Sequence, residues 1–156
     1  MILNVVLMVG LIQLSQTVGW GERVLHVTYM KSRCDYCQML FQEERFGAEL
    51  VTAGDSSLFF DATECLVGFL LSDKIPTAQV KMLWSVNYNM PGKLLDARNA
   101  VYVNSPNIPS PMEVNIAAFR TTVAADSAIT RHGGRKLTWQ QVVDLVGKKW
   151  FGGKTK

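Results

Sequence analysis

Two cysteines and a methionine fall within six consecutive positions of the stretch Arg33-Cys34-Asp35-Tyr36-Cys37-Gln38-Met39-Leu40. Thiolate and thioether sulfur are soft, polarisable donors, and together they select Cu(I) over magnesium, calcium or manganese. Zinc accepts the cysteines but rarely a methionine. A bare CxxC also serves redox and zinc sites, so Met39 narrows the chemistry. Two further sulfurs are candidates to join this group. Cys65 lies on a stretch with helical spacing, where it reads either as a small buried hydrophobe or as a third soft ligand. Met112 follows the loop Ser105-Pro106-Asn107-Ile108-Pro109-Ser110-Pro111. Its prolines hold the backbone extended and reduce the entropy lost when the side chain is fixed. Met82 alternates with Trp84 and Val86 and reads as strand packing, while Met90 precedes a proline in a loop. His26 reads as a structural residue on a strand and His132 as an exposed turn residue.

The elements that must position these side chains follow from periodicity and turn chemistry. Arg23 to Met30 reads as a strand delivering the chain to the CxxC. Phe46–Thr52 and Ser57–Phe60 read as a hairpin around Ala53-Gly54-Asp55-Ser56, with Gly54 in the turn. Asp61-Ala62-Thr63-Glu64 supplies capping residues for a helix from Glu64 to Leu71, with Cys65, Leu66, Phe69 and Leu70 toward the core. Gln79 to Tyr88 reads as a strand, Leu94 to Ala100 as a short helix, and Val101–Val103 and Asn115–Thr122 as strands. Asp126–Ile129 suits either helix or strand, and His132 to Arg135 a turn. Thr138 caps a final amphipathic helix, Trp139 to Lys149, with Val142, Val143, Leu145 and Val146 inward. A faint repeat sets Met39 and Phe46 against Met112 and Phe119, with helices near Thr63 and Thr138. It predicts two ββα-type units, each carrying a methionine to a similar place.

The 156 residues suffice for one domain or two small halves, nearly half of them apolar. A net charge of +3, with Lys and Arg clustered only near the C-terminus, argues against a nucleic-acid partner. Three cysteines cannot all pair with one another, so an oxidising compartment leaves a free thiol or a metal site. Residues 1–21 carry no charged side chain, and Ile2 to Ile12 is an apolar run of signal-peptide length, short of the roughly 20 residues of a membrane span. The expectation is a signal peptide or anchor over 1–21, allowing membrane association, a folded domain over 22–151 and a disordered tail over 152–156. Hydrolase and nucleotide-binding signatures (GxSxG, P-loop, dinucleotide fingerprint) are absent from the sequence. Two alternatives to copper remain. One is a thioredoxin-like oxidoreductase, for which Arg33 stands where tryptophan is usual. The other is a zinc knuckle or Cys34–Cys37 disulfide, short of ligands beyond Cys65, His26 and His132.

Taken in order, several motifs resemble the NosL family of copper-binding accessory proteins of nitrous oxide reductase maturation. They are Cys34-Asp35-Tyr36-Cys37-Gln38-Met39, Arg45-Phe46-Gly47-Ala48, Phe59-Phe60-Asp61 with Cys65, Asp96-Ala97-Arg98-Asn99-Ala100, Val101-Tyr102-Val103, Ser110-Pro111-Met112, Ala117-Ala118-Phe119 and Gly133-Gly134. The resemblance implies an α+β fold of two ββαβ-like units, similar to organomercurial lyase without implying its activity. It also implies an exported, periplasmic or membrane-associated protein that is not an enzyme. Such a protein binds one Cu(I) through Cys34, Cys37, Met39, Met112 and Cys65 and passes it to a copper-accepting apo-enzyme. Two positions depart from the family. No cysteine lies between Met1 and Arg33, where many members carry a lipidated one, and Glu113 follows Met112 where glycine is common.

Overall fold

The hairpin read from Phe46 to Phe60 forms as antiparallel strands β1 (Ala48–Thr52) and β2 (Ser57–Phe60) in the computed structural model, which describes residues 23–152. Its left-handed turn residue is Asp55, at φ 60°, and not Gly54; aspartate tolerates this region through local hydrogen bonding. Helix α1 (Thr63–Leu71) follows. The chain then returns through β3 (Val80–Val86), which pairs with the free edge of β1, and β4 (Leu94–Asp96), which pairs with β3. The resulting antiparallel sheet has the order β2-β1-β3-β4.

A second unit repeats the plan with β5 (Val101–Asn104), β6 (Ile116–Phe119), α2 (Thr122–His132) and β7 (Arg135–Leu137), in the order β6-β5-β7. Each unit is thus ββαβ, with its first strand central. Helix α3 (Trp139–Phe151) ends the described chain; Thr138 and Gln141 form a reciprocal capping box, and Gly152 closes its C-terminus at φ 65°. Helix α3 lies on β5 and β7 and also packs against α1, tying the two units together. Val142 and Val146 face a core shared with Val67 of α1, Tyr102 of β5 and Ile116 of β6. Val143 and Leu145 are only partly buried at its margin.

Several expectations are corrected. Residues 23–30 do not form a strand; one bridge, Val24 to Lys93, pins them, and His26 is exposed. Leu94 to Ala100 is β4 and a turn, not a helix, because pairing with β3 outweighs the helical preference of leucine and alanine. Met82 is half-exposed on β3 beside buried Leu83, so it does not pack in the core. His132 closes α2 instead of standing in a turn, and Asp126–Ile129 is helical. The repeat is present but in another register. Phe60 and Phe119 each end the second strand of a unit and precede the helix, so α1 matches α2, not α3. Phe46 precedes β1, and Met39 and Met112 therefore do not occupy equivalent places. The leader and nearly all of the tail expected from sequence lie outside the described residues. Among those described, no helix is long and apolar enough to cross a membrane.

Candidate metal centre

The CxxC lies in a tight loop bracketed by a bridge between Arg33 and Leu40. The Cys34 N–H donates to the Met39 carbonyl at 2.9 Å and the Gln38 N–H to the Cys34 carbonyl at 3.0 Å. Gln38 completes the reversal at φ 66°, and the Arg33 guanidinium donates to its carbonyl. Asp35 fixes the loop to β2 in both directions. Its N–H donates to the Phe59 carbonyl at 2.8 Å, and its carboxylate accepts the Phe59 N–H at 2.6 Å. The same strand end leads into Asp61 and α1, so the loop and the start of the helix are held face to face.

That geometry brings Cys34, Cys37, Cys65 and Asp61 together, with one ligand atom from each lying within 4.8 Å of the others. All three cysteines are unpaired; Cys34 and Cys65 are fully buried and Cys37 is partly open. Cys65 is buried, as its hydrophobic reading expects, and its thiol stands beside the CxxC cysteines. Asp61 is the residue missed in the sequence reading, which assigned it to helix capping. The N-cap position belongs to Ala62, with no side-chain cap, while Thr63 donates its hydroxyl to Ser85 at 3.0 Å. Asp61 Oδ1 instead accepts the Cys37 thiol at 3.7 Å, and Oδ2 is buried with no protein partner. Four residues before Cys65 and directly after a strand, an acidic side chain could have been weighed as a site residue.

The three thiols are not equivalent. Cys34 is driven down to about 6, first by the hydrogen bond from the Cys65 thiol, and further by backbone N–H groups of Cys37, Asp61 and Tyr36, against the cost of burial. Cys65 is pushed up because it donates to Cys34 and is itself buried. Burial pushes Cys37 up to about 11, with Asp61 and Cys34 adding negative charge nearby. The arrangement is one thiolate cradled by donors and two protonated thiols beside it.

The methionines divide. Met39 is 44% exposed on the rim, where its backbone supports both cysteines and its thioether reaches solvent. Met112 is partly buried against the core that contains Cys34 and Cys65. Its loop follows the prolines as expected, and Glu113 sits at φ 58°, a left-handed position that a glycine would occupy without strain. Within the CxxC, Tyr36 stacks on Trp150 of α3 at 6.1 Å and 8°, both rings pressed against Gly68. Lys74 lies 5.3 Å from the Tyr36 ring.

Two antiparallel ββαβ units with a buried, unpaired thiol cluster at the first define an α+β protein able to hold a soft metal ion, and among the described residues no parallel βαβ of the thioredoxin kind is formed. The family model described as NosL matches residues 27–146, and the chain belongs to the NosL family. Its fold is similar to the crystal structure of the copper chaperone NosL from Shewanella denitrificans. That match has 23% identity and a TM-score of 0.63, and covers 76% of this chain and 95% of the other. A search of curated proteins returns no significant match.

Proposed function

We propose that this protein is a Cu(I) metallochaperone that hands copper to an extracytoplasmic copper enzyme, nitrous oxide reductase being the recipient its family suggests. The observation that carries this reading is the convergence of three unpaired sulfurs from two separate segments on one buried point. Cu(I) accepts two or three soft ligands, and thiolate matches its softness better than any oxygen donor. Cys34 is the thiolate that receives the ion. Cys37 and Cys65 add sulfur as their protons leave, and Asp61 stands as acceptor beside the Cys37 thiol. Met112 supplies a neutral thioether from the second unit, and Met39 a thioether at the exposed rim. Cys37 and Met39 lie on the open side, so an acceptor's ligands approach there and displace the buried sulfurs one at a time. Transfer is ligand exchange, with no chemistry on a substrate. Residues 1–21 act as the export signal or anchor in this reading.

An anaerobic titration of reduced protein against a competing chromophoric Cu(I) ligand tests it. One equivalent binds tightly, and Cys65→Ser weakens binding on the order of 100-fold or more, as loss of a ligand should exceed the usual cost of losing a supporting contact. Binding no tighter than to a simple dithiol, indifferent to Cys65, would sink the copper reading.

One observation favours a second reading. Asp61 completes a set of three cysteines and a carboxylate, and four such donors suit tetrahedral zinc. Cu(I) has little use for the carboxylate. Asp61→Asn therefore leaves Cu(I) affinity within a few-fold under the chaperone reading, and lowers zinc affinity strongly if the site is built for zinc.

A further inference from the structure

Glu64 neighbours Cys65 on α1 and is entirely buried, and its carboxylate bonds to the second unit. Its Oε1 accepts the Ser110 hydroxyl at 2.5 Å and the Ile116 N–H at 3.3 Å. Oε2 is buried without a protein partner. A carboxyl group at zero exposure is costly unless its hydrogen bonds are made, and both donors here come from the segment that flanks Met112. That segment is a closed loop. The Asn115 N–H donates to Ser110 Oγ at 2.9 Å, and the Glu113 N–H to the Ser110 carbonyl at 3.0 Å. The Lys149 ammonium on α3 holds the Glu113 carbonyl from the other side. Glu113 and Asn115 both take left-handed backbone, so the loop has little freedom to find this shape alone. Met112 projects from it against the core that includes Cys34 and Cys65.

We propose that Glu64 is the positioning residue for Met112, setting the thioether's place relative to the helix that carries Cys65. The copper site is then shared between the two units, with Glu64 fixing their register. This rests on the copper reading above, since Met112 must contribute to the bound ion for its placement to matter. The acceptor oxygen, not the charge, does the positioning, because both bonds go to one oxygen that a glutamine amide also provides.

The test uses wild-type protein and the variants Glu64→Gln, Glu64→Leu, Met112→Leu and the Glu64→Leu/Met112→Leu double variant. Each is titrated anaerobically with Cu(I), and its copper-bound form is characterised by X-ray absorption for the number of sulfur neighbours. The expected result is near wild-type affinity for Glu64→Gln and a loss of about 10- to 100-fold for Glu64→Leu. Met112→Leu shows the same loss, the double variant is no worse than either, and both single leucine variants lose one sulfur neighbour. A merely structural role for Glu64 lowers thermal stability but leaves the sulfur count unchanged. If Glu64→Leu does not fold, Ser110→Ala removes the shorter bond to Glu64, together with the Asn115 N–H bond to the same hydroxyl, and is expected to weaken copper binding in the same non-additive way with Met112→Leu. Additive losses, or full affinity in Glu64→Leu while Met112→Leu is weakened, overturn the positioning role and leave the copper site standing. An inert Met112→Leu beside a weakened Cys65→Ser overturns it too, and confines copper to the thiols. Failure of wild-type protein to bind Cu(I) tightly removes the chaperone reading itself.

Discussion

The two ββαβ units share strand order and chain direction but bury their helices differently. Seven of the nine residues of α1 are buried, whereas α2 buries only Ala125 and Ala128 among its eleven. The difference follows from what lies on either side. Helix α1 is held between its own sheet and α3, while α2 covers the outer face of β5 and β6 and turns its other side to water. The polar interior is divided in the same way. Among the described residues, the three buried carboxylates Glu49, Asp61 and Glu64 and the two fully buried thiols all lie in the first unit or in the CxxC loop clasped to its β2. One topology thus carries the thiol cluster in one copy and a mostly exposed helix in the other. The thiol that donates to Cys34 is Cys65 on α1, and enclosure on both faces keeps that helix buried as α2 is not.

The largest expected effect comes from that enclosed polar group. Burial pushes the Glu64 carboxyl up to about 7 from an ordinary 4.5. Between those values the unfolded chain ionises and the folded chain does not, so the folded state binds more protons and stability falls as pH rises. The loss amounts to about 3 kcal/mol across the window and is complete above pH 7. Cys34 acts with the opposite sign: its lowered pKa adds stability as pH rises from about 6 toward 9. Urea denaturation of reduced apoprotein should therefore show a stability minimum near neutral pH. Glu64→Gln should flatten the acid side of that curve and Cys34→Ser the alkaline side. A curve unchanged by Glu64→Gln would mean that the carboxyl is not enclosed as described.

Next in size is a steric contrast between equivalent helices. A Cβ added to Gly68 on α1 would lie 2.6 Å from Trp150 and 2.8 Å from Tyr36, closer than real contacts allow. Gly68→Ala should destabilise by roughly 1–3 kcal/mol despite alanine's better helix propensity, and should part the Tyr36–Trp150 stack. On α2, Ser127→Ala at an exposed position should change stability by less than about 0.5 kcal/mol. Thermal melts monitored by tryptophan fluorescence compare the two, and equal effects would remove the distinction between enclosed and covering helix.

What could be read from sequence depended on how local each cause is. The β1–β2 hairpin and the Thr138 cap of α3 are specified by neighbouring residues, and both are in place. Strand β7, Arg135-Lys136-Leu137, was missed because two of its three side chains are exposed at an edge and show no apolar pattern. Strand β4 read as helix because Leu94-Leu95-Asp96-Ala97 has helical preference, and only β3, some ten residues back, makes it a strand. Asp61 was seen but given the wrong task. Its partner is a thiol 24 positions away in sequence, brought close by the Asp35 clasp on β2, and such pairing has no local signature.

The smallest expected effect concerns how the two equivalent helices begin. In α2 the Thr121 hydroxyl accepts the Ala124 N–H at 3.2 Å, an ordinary side-chain cap at an exposed position. In α1 the N-cap is Ala62, wholly buried, and the polar residues around it serve the site and the core. Thr121→Ala should cost about 1 kcal/mol, measured by urea denaturation, and leave Cu(I) affinity untouched. Ala62→Ser offers α1 the hydroxyl that α2 has, but places it where no space is open and beside Asp61. If capping were all that the start of α1 lacked, this substitution would stabilise the protein by a similar amount. We expect it to destabilise and to weaken copper binding, because the segment from Asp61 to Cys65 is shaped around the Cys34 thiolate, whose donors include the Asp61 N–H. A stabilising Ala62→Ser with unchanged copper affinity would show that the two helix starts differ only in sequence and not in purpose.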